Sequence, residues 1–521
     1  MSQRYDAIVV GGGHNGLICA AYLARGGLKT LLLERRAIFG GACVTEEIAG
    51  APGYRVSTGA AQLGNLRPEI VADLDLASHG YELLLPDPLS VFPLPDGRHL
   101  ALWQDPARTR TEIEGFSASD AAAMAGFQGD LGRFVARLEP MLYADDVPSL
   151  GQVQERFHAA GEAALFRDFM LGSMADLLDA RFETGVVKAA LGFTSTFGTN
   201  AGPRTPGTAY VMAHHMFGAT TGARGRAGYV RGGMGGLADA LAAAARRFGA
   251  ELRGDAEVAE IEVRDGLARA VRLENGERFE ADHVISNADP HLTFLRLIDG
   301  QALSPSFADD IRGLRMNGVA AKVNVALDAL PTFDAVPEGV SPARVSLCPS
   351  LDYIEAAWDD AKRGHLSAAP FMTVHMQSAI DPSLAPAGKH TLTCYAQYFP
   401  NELDPALGGW DAQRERAGDI VLDTVAAYAP DIRDKATAIE VLAPPDLEAR
   451  FAMTGGHQFH GDMLSTQLLD YRPAPGCVGA RTPLAGLYLC GAGAHPGGCV
   501  WGAPGQRAAA TVIADHGRRN A

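Results

Sequence analysis

The stretch that decides the fold is Tyr5–Arg35, YDAIVVGGGHNGLICAAYLARGGLKTLLLER. Ala7–Val10 is a short apolar run, Leu17–Arg25 has helical composition, and Thr30–Leu33 is a second apolar run. Strand, helix and strand in that order make a βαβ unit. Gly11, Gly13 and Gly16 stand in GxGxxG spacing between the first strand and the helix. Gly11 permits the tight turn, Gly13 lets the backbone approach a pyrophosphate, and Gly16 lets helix and strand pack closely. The helix N-terminus then faces the phosphates. Glu34 ends the second strand, eighteen residues after Gly16, where a carboxylate can hold a ribose hydroxyl. A lone glycine triplet is weak evidence. The triplet with strand, helix, second strand and terminal acid all in place reads as a dinucleotide site.

The acid would repel a 2′-phosphate, so the ligand is FAD or NAD. The far end of the chain separates the two. Gly491-Ala492-Gly493 follows a strand, and a helix begins near Pro504. A second glycine loop suits FAD, which is longer and has a flavin ring to hold. A helix N-terminus near that ring would stabilise negative charge on the reduced flavin. GGMGG at 232–236 follows Tyr-Val-Arg and has no acid-tipped second strand behind it. It is expected to open a helix packed on the βαβ unit, not a second nucleotide site.

A chain of 521 residues is too long for one core. With 47% hydrophobic and 20% charged residues it has ordinary globular composition. The net charge of −16 argues against nucleic acid or an anionic membrane as the main partner. Seven cysteines are dispersed without a CxxC or zinc-ligand spacing, which reads as reduced thiols in a cytoplasmic protein and no metal. The first strand begins about five residues from Met1, so no signal peptide is expected. No run of eighteen apolar residues occurs, so no transmembrane segment is expected.

IFGGACVTEEI at 38–48 raises the possibility of a redox disulfide, because flavin disulfide reductases carry CxxxxC just after such a glycine pair. Ile48 stands where the second cysteine would be, and no later cysteine repairs the motif. Gly40-Gly41 is therefore read as a close backbone approach to the flavin, and Cys43 as a small buried side chain.

Farther along, YELLLPDPLSVFPLPDGRHLALW (81–103) reads as strands around a Pro-Asp-Gly turn, and 108–193 turns helical. Strands return at 257–263, 268–273, VISNADP (284–290), AAKVNVAL, HTLTCYAQYF and LYLCGAG. Together, GGGHNGL, Glu34-Arg35, Gly40-Gly41, VISNADP and LYLCGAGAHPGG resemble the FAD-dependent amine oxidase and phytoene desaturase superfamily. GGACVTEEI, LRPEI (66–70) and FHGDM (459–463) resemble, within it, the group of pyridine nucleotide-disulfide oxidoreductase domain-containing protein 2. The resemblance runs nearly end to end.

It implies an α/β (α+β overall) fold. A Rossmann-like FAD-binding domain would be built discontinuously from 1–75, 225–295 and 478–521. A mixed-sheet substrate domain would comprise 76–107 and 296–477, with a helical insertion at 108–224. The active-site tunnel would run between the domains. It also carries cofactor roles onto Gly11, Gly13, Gly16, Glu34, Arg35, Gly41, Ala42, Val258 (beside adenine), Gly491, and Val500, Trp501 and Gly502 (near flavin O2). The turn STGA (57–60) would pass the isoalloxazine ring.

Amine oxidases place a lysine on the first strand of the substrate domain, and Lys322 holds that place here. A lysine among Ala and Val is buried with a lowered pKa, or else an edge residue that snorkels. His495 in the last glycine loop is a candidate proton acceptor, or a structural bond fixing the loop. His460 is a candidate tunnel residue, or a buried structural histidine. His457 and His460 lack a third metal ligand. Trp501, Tyr395 and Tyr398 wall the substrate cavity or pack in the core. An apolar stretch near 164–178 is read by default as core, with a partner or peripheral membrane contact as the alternative.

The expected function is an FAD-dependent oxidoreductase. It would dehydrogenate a small or lipophilic substrate, apolar or an amine, by hydride transfer from a C–H bond to flavin N5. The alternatives are a flavin-dependent isomerase or saturase of a polyene, or an FAD protein acting through protein partners.

Overall fold

The computed structural model describes residues 3–144, 146–336, 340 and 342–520. The opening stretch folds as the sequence dictates. Strand β1 (Gln3–Val10) leads into helix α1 (His14–Arg25) and strand β2 (Thr30–Leu33). β1 pairs in parallel with β2 on one side and with the strand Arg278–Ser286 on the other. Every residue of β2 is buried, as a strand covered on both faces requires. A short strand, Glu251–Arg253, extends the sheet beyond β2. An antiparallel pair, Val258–Arg264 and Leu267–Leu273, closes its other edge. The last strand, Leu487–Leu489, comes from the far end of the chain and pairs in parallel with Arg278–Ser286.

Helix Met234–Arg247 and the C-terminal helix Ala503–Asn520 both pack on α1. GGMGG is thus a helix start, as expected. Gly235 is required there because a Cβ would press on the Thr45 backbone. Leu17, Leu237 and Leu241 on these helices join Ala508 and Val512 in one fully buried cluster.

A second, mixed sheet runs in the order Ala436–Leu442, Ala320–Leu327, His390–Gln397, Phe371–His375, Arg344–Leu347, Ser90–Pro93, His99–Leu102. Only the Arg344–Leu347 and Ser90–Pro93 pair is parallel. Helices between Pro106 and His214 bury their own large cluster. The apolar stretch near 164–178 belongs to it: Phe166, Phe169, Met170, Met174 and Leu178 are buried. Among the described residues no helix is long and apolar enough to cross a membrane.

Candidate functional site

A cleft of about 590 Å³ opens where β1 gives way to α1, bordered by Gly11, Gly13, Glu34, Gly41, Val258 and Ala492, among others. That volume lies in the range of small-molecule and cofactor sites. Its floor is peptide backbone. Gly13 caps α1 without a capping side chain. The first-turn amides of α1 therefore have no intrahelical acceptor and face the cleft. A Cβ on Gly13 would stand 2.7 Å from Asn287 Nδ2, and one on Gly41 would stand 3.0 Å from the Gly13 Cα. Gly41 also holds a φ of +58°. The glycines thus keep two backbone segments close together along the cleft. Gly16 does not border it; a Cβ there would run into Gly11 O, so its task is close packing.

Glu34 is 8% exposed at the end of β2. Its carboxylate accepts from Gly12 N at 2.7 Å and from Arg36 N at 2.9 Å. Arg35 also borders the cleft, and its guanidinium donates to Ala449 O and Arg450 O, both at 2.6 Å. The segment 448–454 thereby forms a wall that nothing in its sequence announces. Asn287 was likewise missed, although it follows a strand within VISNADP. It borders the cleft opposite the glycine loop, and its backbone N donates to Val10 O at 2.8 Å.

These features fit a dinucleotide cofactor. Open helix amides lie where phosphates would sit, an acid ends the second strand, and glycines leave room for close approach. Val258 and its neighbours Ala256 and Ala259 supply an apolar wall at the same end as Glu34. Ala42, Ala492, His14 and His460 border the same cleft.

The remaining candidates are placed unevenly. His460 borders the cleft, holds a φ of +54°, and has a buried Nδ1 with no partner among the described residues. Burial lowers its pKa to about 4, opposed by Asp289 and reinforced by Arg472 and His457. Beside it, His14 is held at about 4, again by burial, so both imidazoles are neutral at pH 7. His457 lies away from the cleft; its Nε2 donates to Asp462 at 3.1 Å, and its Nδ1 faces Phe459 N and Gly461 N. No group of three metal-ligating side chains occurs among the described residues.

Lys322 is fully buried in its strand, and its Nζ donates to Ser57 O at 2.7 Å and Gly59 O at 2.6 Å. It thus grips the 57–60 turn, which in turn lies on Ala42 through Ala60 N to Ala42 O at 2.8 Å. Burial lowers its pKa to about 7.

His495 is buried beneath the last glycine loop, with Nε2 3.1 Å from Leu142 O, and does not border the cleft. Gly491, Val500, Trp501 and Gly502 do not border it either. Gly491 packs on the Asn287 backbone, and Gly502 on Ile18 and Ile70. Val500 packs against the helices of the first sheet. Trp501 is fully buried, donates to Gly497 O at 3.1 Å, and meets the His214 ring at 4.6 Å. Tyr398 is buried and donates to Ala201 O at 2.6 Å, while Tyr395 stays half-buried. Cys43 is fully buried, with burial pushing its thiol up to about 12. All seven cysteines are free.

Comparison with known proteins agrees with this geometry. Residues 16–513 match the model of the flavin containing amine oxidoreductase family. The chain is 38% identical to the mouse (Mus musculus) pyridine nucleotide-disulfide oxidoreductase domain-containing protein 2, over 99% of this chain and 94% of that protein. It is 24% identical to the neurosporene-forming phytoene desaturase of Cereibacter sphaeroides, over 98% and 94% of the two chains. Among solved structures, a putrescine oxidase triple mutant has the same fold, with a TM-score of 0.63, 15% identity and full coverage of both chains. The Rossmann-like fold, the FAD cofactor and the oxidoreductase class expected from the sequence are thereby borne out. The chain belongs to the flavin containing amine oxidoreductase family, within the FAD-dependent amine oxidase and phytoene desaturase superfamily.

Proposed function

We propose that the protein dehydrogenates a small or lipophilic organic molecule, with hydride passing from a substrate C–H bond to flavin N5. The observation that carries this reading is the cleft that brings together open α1 amides, Glu34, Gly41, Ala42 and two neutral imidazoles. In this reading the segments 1–75, 225–295 and 478–521 act as the FAD-binding domain. The segments 76–107 and 296–477, with helices at 108–224, act as the substrate domain. When bound, FAD supplies the two-electron sink.

The chain's own residues do the rest. Glu34 would accept ribose hydroxyls, and the α1 amides would hold the pyrophosphate. Lys322 fixes the 57–60 turn against Ala42, which orients the ring's surroundings. His14 and His460, neutral and bordering the cleft, are the groups placed to take a substrate proton. The buried high-pKa thiol of Cys43 leaves no thiolate for disulfide exchange.

The test is anaerobic mixing of flavin-loaded protein with candidate substrates, followed by air. Bleaching of the flavin with formation of an imine or C=C bond supports dehydrogenation. Product formed with unchanged flavin moves the assignment to isomerisation. A protein that carries no flavin and takes up no FAD refutes the reading.

A further inference from the structure

Beyond the cleft, a set of interior side chains keeps accessible surface although the elements carrying them are buried. Gln62, Phe197, His215, Arg344, Tyr395, Gln458 and Cys499 are all half-buried. They are mutual neighbours. Phe197 packs on Tyr395 at 5.4 Å and on His215 at 6.3 Å between ring centroids. His215 lies 3.7 Å from the Cys499 sulfur. Gln458 borders the cleft and lies beside Tyr395, and the backbone of Cys499 lies beside His14, which also borders the cleft. Residual surface on side chains this deep in the fold requires room between them, and the set runs on from residues that border the cleft.

Two polar atoms in this set, Arg344 Nε and His215 Nε2, are buried with no hydrogen-bond partner among the described residues. Native interiors satisfy such atoms, so neighbouring orphans point to a ligand. Arg344 is the most telling. Its Nη1 donates to the neutral Gln62 Oε1 at 3.0 Å, and its guanidinium lies 5.0 Å from the Phe193 ring centre. Among the described residues no carboxylate forms an ion pair with it. A buried cation without a counter-ion is costly, and the arginine fork matches a carboxylate in two-point geometry. Lys322, also basic, stands opposite Tyr395 in the sheet register. His215 is neutral, its pKa lowered to about 4 by burial and then by Arg344.

We propose that this aromatic-lined space is the substrate's seat and that Arg344, with Gln62, receives a carboxylate there. The substrate is then an organic acid with an apolar body that lies along Phe197 and Tyr395, its reacting carbon toward the cleft. A protonated amine would meet Arg344 with no acid to offset it. This deepens the oxidoreductase reading and rests on it.

The test uses flavin-loaded protein and straight-chain carboxylates from butanoate to dodecanoate, with the matching alcohols and amines. Binding is read from the change in the visible spectrum of the bound flavin. At the best chain length the carboxylate should bind ~10-fold or more tightly than the alcohol, and the amine most weakly. Arg344→Met should bring carboxylate and alcohol level, and Arg344→Lys should keep part of the preference. Alcohols or amines binding as well as carboxylates, no binding by any carboxylate, or an unchanged preference in Arg344→Met overturns the proposal. Should Arg344→Met fail to fold, the wild-type comparison decides alone, with Arg344→Gln as the second variant. Flavin-loaded protein without the preference refutes this inference only. Protein that takes up no flavin refutes the oxidoreductase reading beneath it.

Discussion

Replacing Lys322 by methionine should change how stability depends on pH. Lys322 sits in Ala320–Leu327, a strand buried throughout, and among the described residues its head group donates to Ser57 O and Gly59 O. Burial lowers its pKa from 10.5 to about 7, against small opposing effects of Glu440 and Cys394. In the unfolded chain the amine keeps its proton up to 10.5. Between pH 7 and 10.5 the unfolded state therefore binds more protons than the native state, and stability rises with pH. Lys322's favourable contribution is fully present above 10.5 and lost as pH falls through 7; below 7 both states are charged and the dependence levels off. The shift of 10.5 − 7 = 3.5 units, at about 1.4 kcal/mol per unit, corresponds to roughly 5 kcal/mol over the window. Methionine removes this titration and leaves two carbonyls without a donor. The measurement is the urea midpoint of wild-type and Lys322→Met flavin-loaded protein at intervals from below pH 7 upward. The wild-type advantage should grow with pH across the window, and a flat difference refutes the burial argument. The variant should also retain flavin less well, because the 57–60 turn loses its grip on Ala42.

Two further outcomes follow from the cleft. Gly13→Ala places a methyl 2.7 Å from Asn287 Nδ2, at the point of closest backbone approach. Flavin affinity should fall ~10-fold or more with the fold intact by circular dichroism, and full flavin occupancy in the purified variant would contradict the placement. Cys43→Ala should leave flavin content and anaerobic flavin reduction within about twofold of wild type, since its thiol is buried and unpaired in any disulfide. Loss of reduction in that variant would restore sulfur to the chemistry.

The nucleotide end of the site was legible residue by residue because its determinants are local. A strand, a glycine turn and a helix start lie within a few residues of one another, and each glycine answers a steric demand visible in the spacing. The wall at 448–454 was not legible, because Arg35 meets it through backbone carbonyls, and any residue type supplies those. For His495 and Trp501 the sequence left two readings open, a role at the site or a structural one. Both lie in a motif beside the cleft, yet their side chains point into packing against Leu142 and His214. A chain position near a ligand does not set which way a side chain turns.

By itself, the sequence determined the βαβ unit, the FAD-type glycine loop with its terminal acid, and the lack of a dithiol. Periodicity and short-range spacing encode each of these. The tertiary structure alone decided that Lys322 is buried and what it grips, which histidines face the cleft, and that Arg344 lies in the interior with no ion-pair partner among the described residues. Those facts depend on contacts between segments hundreds of residues apart, such as Lys322 with Ser57 and Gln62 with Arg344. Such pairings arise only when two sheets and a layer of helices close on one another, and no local pattern records them.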